Sequence, residues 1–308
     1  MTERALPVLE VKDLSVKFRQ YGKGLRQVEL EVINSLSIKI DRGEILAVVG
    51  SSGSGKSLLA HAVLGILPGN GTTSGSMKYC GMELTKEKQE ELRGKEIALV
   101  PQSVNYLDPL MKIGEQVRGV KGSKEAQQKI FRKYALKPRT EEIYPFQLSG
   151  GMARRVLVST AVISDAGLII ADEPTPGLDP AIAEETVMHL RELADEGRAV
   201  MLITHDLELA FMVSDRIAVF YGGTTVEVAP AGDFIKGGDA LRHPYSKALW
   251  EALPQNGFKP VSGFQPYAGT LTEGCIFLPR CRYRGPECSE QIELRELRGG
   301  TVRCRYAT

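Results

Sequence analysis

Gly50-Ser51-Ser52-Gly53-Ser54-Gly55-Lys56-Ser57 decides the fold of this chain. The stretch has the spacing G-x-x-x-x-G-K-[ST], that of the phosphate-binding loop of nucleotide triphosphatases. Before it, Glu44-Ile45-Leu46-Ala47-Val48-Val49 reads as a short buried strand, and after it Leu58-Leu59-Ala60-His61-Ala62-Val63-Leu64-Gly65 reads as a helix. That strand–loop–helix context is what the motif requires. Glycines let the backbone wrap closely around phosphate oxygens, so amide N–H groups and the helix N-terminus face the negative charge. Lys56 can reach the β- and γ-phosphates, and the Ser57 hydroxyl can ligate Mg²⁺. Gly50, Ser51, Ser52, Gly53, Ser54, Gly55, Lys56, Ser57 and Leu58 are therefore the candidate nucleotide-binding residues. A Gly/Ser turn before a helix would explain the glycines but not the Lys-Ser pair with both flanks in place.

Around this loop, 308 residues suffice for one large α/β domain and a smaller appendage. Apolar content of 43% and charged content of 25% are those of an ordinary folded protein. A net charge of +1 gives no global field toward nucleic acid or an anionic membrane. Met1–Pro7 lacks the apolar core of a signal peptide, and no run approaches the roughly 18 apolar residues of a membrane span.

Upstream, Val8–Phe18 alternates like a half-buried strand, and Val28–Ile40 holds a second alternating run with a turn at Asp41-Arg42-Gly43. Gly22-Lys23-Gly24 reads as the loop between them. Together they predict an antiparallel region leading into the phosphate-loop strand. Pro68–Gly75, rich in Gly, Thr and Ser, reads as a loop ending the first helix. Downstream, Ile97–Gln102 is a short strand with a polar end. Strand character then lapses from about 105 to 164, with helices expected over 125–136 and 153–163. Leu168–Glu173 and Ala199–His205 are further buried strands, separated by a helix over 181–196 that Gly197 caps. Arg216–Phe220 and Thr225–Ala229 form a hairpin around Gly222-Gly223. After about 231 strands weaken and Gly and Pro become frequent.

Three further stretches carry chemistry. Asp172-Glu173 ends a buried strand, where one carboxylate can hold Mg²⁺ and its water and the other can accept a proton from an attacking water. Leu148-Ser149-Gly150-Gly151-Met152 places a Ser N-cap and two glycines at a helix start, a second anion-binding terminus. Thr204-His205-Asp206 follows an apolar strand. Taken singly, each is as ordinary as a capped strand end, an N-cap or a structural histidine. In the order phosphate loop, Gln102, Leu148–Met152, Asp172-Glu173, Leu178-Asp179, His205, they resemble the ATP-binding-cassette ATPases.

The resemblance covers residues 8–229 and implies an α/β fold: a P-loop NTPase (RecA-like) core with an antiparallel β subdomain and a helical subdomain at about 103–164. The nucleotide-binding domain would span 1–230. It implies Glu173 as general base, with Gln102 and His205 completing the catalytic set. Ser57, Gln102 and Asp172 would surround Mg²⁺. Phe18 would stack on adenine. Ser149, Gly150 and Gly151 would close on the ATP of a facing subunit, with Asp179 in the D-loop. Two departures stand out: Met152 where Gln is commonest in the signature motif, and Pro176-Gly177-Leu178-Asp179 in place of Ser-Ala-Leu-Asp. The second bears on coupling between the paired sites.

Residues 231–308 are expected to form an accessory region. His243-Pro244-Tyr245-Ser246-Lys247-Ala248-Leu249 resembles the segment following the cassette in oligopeptide, dipeptide and nickel importer ATPases. Cys275, Cys281, Cys288 and Cys304, spaced C-x5-C-x6-C-x15-C, look like that subfamily's cysteine motif. Beside an ATP site, which implies the cytosol, clustered cysteines favour a metal site over disulfides. Four thiolates suit Zn²⁺ or a [4Fe–4S] cluster. Spacing wider than the zinc knuckle, together with the resemblance, favours iron–sulfur. Arg280, Arg282, Arg284 and Arg303 read as a solvated face, the alternative being that they balance a cluster's negative charge.

The function implied is an ATP-hydrolysing importer subunit at the cytoplasmic face of the membrane, taking up peptides, nickel or other small solutes. Its partners would be a second ATPase subunit, two transmembrane permeases that dock near Tyr106–Pro109, and an extracytoplasmic substrate-binding protein. The alternatives are a soluble cassette ATPase of DNA repair or translation, and a non-hydrolysing regulatory subunit that senses through its cluster. The first would bring long coiled coils or tandem cassettes, which 308 residues do not show. Intact Glu173 and His205 argue against the second.

Overall fold

The computed structural model describes residues 6–22, 24, 26–119, 122–266 and 274–308. Residues 1–5 of the N-terminal stretch and Lys23 of the expected Gly22–Gly24 loop lie outside the described residues. Two sheets organise the chain. A four-stranded antiparallel arm has the order β2-β1-β4-β5, from β1 (Leu9–Tyr21), β2 (Gln27–Ile40), β4 (Gly71–Tyr79) and β5 (Met82–Glu83).

The second sheet has eight strands. Its parallel part is built from β3 (Ile45–Gly50), β6 (Ile97–Val100), β7 (Leu168–Asp172), β8 (Ala199–Ile203) and β9 (Arg216–Tyr221), with β3 between β8 and β9. β10 (Thr224–Pro230) turns back antiparallel on β9 through Gly222 and Gly223, both at positive φ, as a tight hairpin requires.

β3, β7 and β8 are buried along their whole length, as parallel strands covered on both faces must be. Alternate residues of β3 serve different cores. Leu46 and Val48 pack with the arm and α1 (Lys56–Leu64), while Ala47 and Val49 pack with residues of the C-terminal region. A third core joins the other face of β7 to α3 (Ile113–Arg118), α4 (Lys124–Lys133), α5 (Gly150–Val162) and α6 (Pro180–Asp195). Each large apolar side chain so buried contributes about 1.5–3 kcal/mol relative to exposure. α2 (Lys86–Leu92) lies against α1, where Gln89 Nε2 donates to the Ala62 carbonyl at 2.8 Å.

One expectation about strands needs correcting. Pro68–Gly75 is not all loop: from Gly71 it is strand β4, paired with β1 from Phe18↔Gly71 to Leu9↔Tyr79. Its Thr and Ser residues face solvent, which removes the hydrophobic alternation that marks a strand. After 231 strands weaken but persist. Beyond α7 (Leu207–Val213), α8 (Ala231–Lys236) and α9 (Pro244–Glu251), the short β11 (Arg295–Leu297) and β12 (Gly300–Val302) extend the main sheet, with β12 on β10.

A buried ion pair holds this extension. The Glu227 carboxylate on β10 accepts from Arg242 Nη1 at 3.3 Å and from the backbone N–H of Arg242 and His243 at 2.9 and 2.7 Å. Arg242 Nε donates to the Leu297 carbonyl at 2.7 Å, and its Nη2 to Asp233 at 2.8 Å and to the Arg298 carbonyl. Arg303 donates to the carbonyls of Ile292, Ser35 and Thr225, and Arg280 to those of Val261 and Ser262. Of the four arginines expected on a solvated face, only Arg282 and Arg284 are exposed. The others are drawn inward to carbonyls in loops and at register irregularities of β2 and β10.

Candidate active site

The sheet brings the chemistry-bearing residues to one edge. β3, β7 and β8 run parallel, so the phosphate loop, Asp172-Glu173 and His205 all lie at strand C-termini, where open α/β sheets bind ligands. Gly50 sits against β9, and a Cβ there would run into the Phe220 carbonyl, so only glycine lets the loop leave the sheet here. Gly55, at φ 94°, caps α1 and aims its N-terminus into the loop. Lys56 Nζ donates to the Gly50 and Ser51 carbonyls at 2.9 and 3.1 Å, bracing the arch of the loop.

Ser57 Oγ donates to Asp172 Oδ1 at 3.1 Å. A hydroxyl and a carboxylate thus stand side by side at the first turn of α1, an oxygen donor set that fits Mg²⁺ beside bound phosphates. Burial pushes the Asp172 carboxyl up, partly offset by the Ser57 hydrogen bond, with nearby Glu173 adding to the rise. Burial pushes Lys56 down while Glu173 and Asp172 pull it up.

Glu173 follows in the left-handed region, φ 48°, with its backbone N–H on the Ile203 carbonyl at 2.9 Å. That turn points the buried Glu173 carboxylate to His205, whose Nδ1 lies 2.7 Å from Glu173 Oε2. The imidazole is otherwise 66% exposed. A base with an oriented partner is what activation of water requires.

Gln102 is exposed just beyond β6 and carries no hydrogen bond to Ser57 or Asp172. Phe18 is partly buried in the arm, against Gly71. Ser149 caps α5, its hydroxyl accepting from Met152 N–H at 3.3 Å, and the Ser149-Gly150 end faces solvent. Asp179 caps α6, accepting from Ala181 N–H at 3.0 Å, and Leu178 approaches Gly151.

Sequence reasoning missed Arg154. From α5 it donates to the Pro101 carbonyl at 3.1 Å, and burial pushes its guanidinium down while Glu173 and Asp172 pull it up. Its positive charge lies in the field of both carboxylates. Nothing in its local sequence marks it off from Arg155 beside it.

The four C-terminal cysteines are free thiols in one another's field. Cys275 is pushed up to about 11, by burial and by the other three. Its backbone N–H donates to the Cys288 carbonyl at 2.8 Å. Among the described residues, no three His, Cys, Asp or Glu side chains are arranged to hold a metal ion, and no helix is long and apolar enough to cross a membrane.

Residues 33–176 match the ABC transporter family, and residues 226–288 match the oligopeptide/dipeptide transporter C-terminal region. The oligopeptide transport ATP-binding protein OppD of Escherichia coli (strain K12) is 33% identical over 99% of this chain and 94% of its own length. The chain belongs to the ABC transporter ATPases. The Haemophilus influenzae OppD is 32% identical to this cassette over 96% of both chains. Among solved structures, a dimeric ATP-binding cassette in a post-hydrolysis state, bound to ADP and Pi, aligns with a TM-score of 0.64 at 25% identity. It covers 72% of this cassette and 98% of its own chain. The cassette is an ATPase with a P-loop core, and ATP and Mg²⁺ fit its site.

Proposed function

We propose that this ATPase drives uptake of oligopeptides, as the peripheral subunit of an importer on the cytoplasmic face of the membrane. The observation that carries the catalytic part is the paired geometry at the sheet edge: Ser57 on Asp172, and Glu173 on His205. Glu173 takes a proton from the attacking water and His205 orients Glu173 and the γ-phosphate, while Ser57, Asp172 and Gln102 would hold Mg²⁺, which would offset the phosphate charge. Phe18 receives adenine. The exposed Ser149–Gly151 helix end and Asp179 then serve a second ATPase subunit, so each ATP is closed between two cassettes. Leu110, 87% exposed, and Tyr106, 56% exposed, follow Gln102 and give the two permeases an apolar docking surface. A substrate-binding protein delivers the peptide outside. The named relatives, which span nearly the whole chain, are oligopeptide transport proteins, which favours peptide over nickel.

The cysteine quartet holds a [4Fe–4S] cluster in this reading. Four free cysteines are the ligand number such a cluster takes. Their C-x5-C-x6-C-x15-C spacing, wider than a zinc knuckle, favours the cluster over a single zinc ion. Anaerobically purified protein will be brown with a broad band near 400 nm. Colourless protein with stoichiometric zinc would overturn the cluster.

The transport reading is tested in the source cells by uptake of a radiolabelled tripeptide with Lys56→Ala at the chromosomal locus. Uptake is expected to fall to background, and undiminished uptake would refute it.

A further inference from the structure

The segment after α9 crosses to the phosphate loop. Ser51 Oγ donates to Gln265 Oε1. Ser51 is thereby held from two sides, because its carbonyl accepts from Lys56 Nζ at 3.1 Å.

Arg280, one residue before Cys281, holds the segment that leads to Gln265. Its guanidinium donates to the Ser262 and Val261 carbonyls at 3.0 Å each and to Tyr221 Oη at 3.1 Å. It lies 5.8 Å from the Tyr221 ring centroid and 6.0 Å from that of Phe277. Tyr221 in turn packs on Tyr245 at 4.4 Å and meets Phe277 edge-on at 5.3 Å. Packing does little to hold residues 262–265: Phe264 is 97% exposed and Gly263 presents no side chain. What anchors them is the Arg280 fork at one end and Ser51 at the other.

We propose that Gln265 is a positioning residue for ATP binding. It acts through Ser51 on the arch of the phosphate loop and on the Lys56 ammonium, with Arg280 as its clamp. The motif leaves the side chain after Gly50 unspecified, and this chain uses a hydroxyl there to tie its C-terminal region to the nucleotide. The cysteine loop, which carries Phe277 and Arg280, is thus two contacts from the phosphates.

The test is equilibrium binding of a fluorescent ATP analogue with Mg²⁺ to the full chain. Losing one hydrogen bond to the loop is expected to raise Kd about three- to tenfold in Gln265→Ala. Arg280→Lys keeps the charge but loses the fork, and is expected to weaken binding likewise. The nucleotide-free melting temperature should stay unchanged in Gln265→Ala, whose side chain is part exposed. In a Ser51→Ala background, Gln265→Ala should add nothing. Wild-type affinity in Gln265→Ala would overturn the proposal. So would an undiminished effect of Gln265→Ala on the Ser51→Ala background.

Discussion

At the scale of single residues, the site depends on contacts between positions far apart in the chain. Glu173 meets His205 at 2.7 Å with one imidazole face left to solvent. A charge-assisted hydrogen bond of this kind is worth about 1.5–3 kcal/mol. His205→Ala should therefore slow ATP hydrolysis about 10- to 100-fold while ATP binding, measured by fluorescence, holds. His243 carries a pH prediction. It is 1% exposed, its Nδ1 accepts from Tyr245 N–H at 3.0 Å, and burial pulls its pKa from 6.5 down to about 3. Between those values the unfolded chain binds a proton that the folded chain refuses. The stability His243 confers is thus complete above pH 6.5 and is lost as pH falls toward 3, by up to about 1.4 kcal/mol per pH unit. Denaturation of wild type and His243→Gln across that range should show a shallower slope in the variant. The residue types at the site were legible because phosphate and Mg²⁺ chemistry demands them. Arg154 and Gln265 were not, because tertiary placement alone brings one to the Pro101 carbonyl beside the site and the other to Ser51.

At the scale of elements, buried strands were legible and exposed ones were not. Ile45–Val49, Leu168–Ala171 and Ala199–Ile203 are unbroken apolar runs because helices or the arm cover both sheet faces. β4 was misread because its Gly-Thr-Thr-Ser-Gly start has an open face, and its pairing with β1 is specified across more than fifty residues. β11 and β12, three residues each, carry no periodicity of their own, and their place is set by pairing and by Arg242. The Arg242–Glu227 pair, 1% and 0% exposed at the side chains, gives that element its test. Removing one partner strands the other charge in the interior, so Glu227→Ala should cost about 3–5 kcal/mol by chemical denaturation. Protease should then cut first among the C-terminal residues.

At the scale of the whole molecule, the cassette presents a phosphate loop on one element and an exposed signature helix end on another. The solved relative that aligns over 72% of the chain is dimeric. In the proposed pair, Gly151→Asp sets a carboxylate against the partner's γ-phosphate and should abolish ATP-dependent dimerisation, read by light scattering. Binding of ATP to the phosphate loop alone should survive. The C-terminal region adds two strands to the catalytic sheet and a contact at Ser51, so it is mechanically part of the cassette. The measurement closest to the central claim is steady-state phosphate release by wild type and Glu173→Gln at saturating ATP. Hydrolysis is expected to fall by about 10²- to 10⁴-fold with nucleotide affinity retained. An unchanged rate in Glu173→Gln would contradict the account.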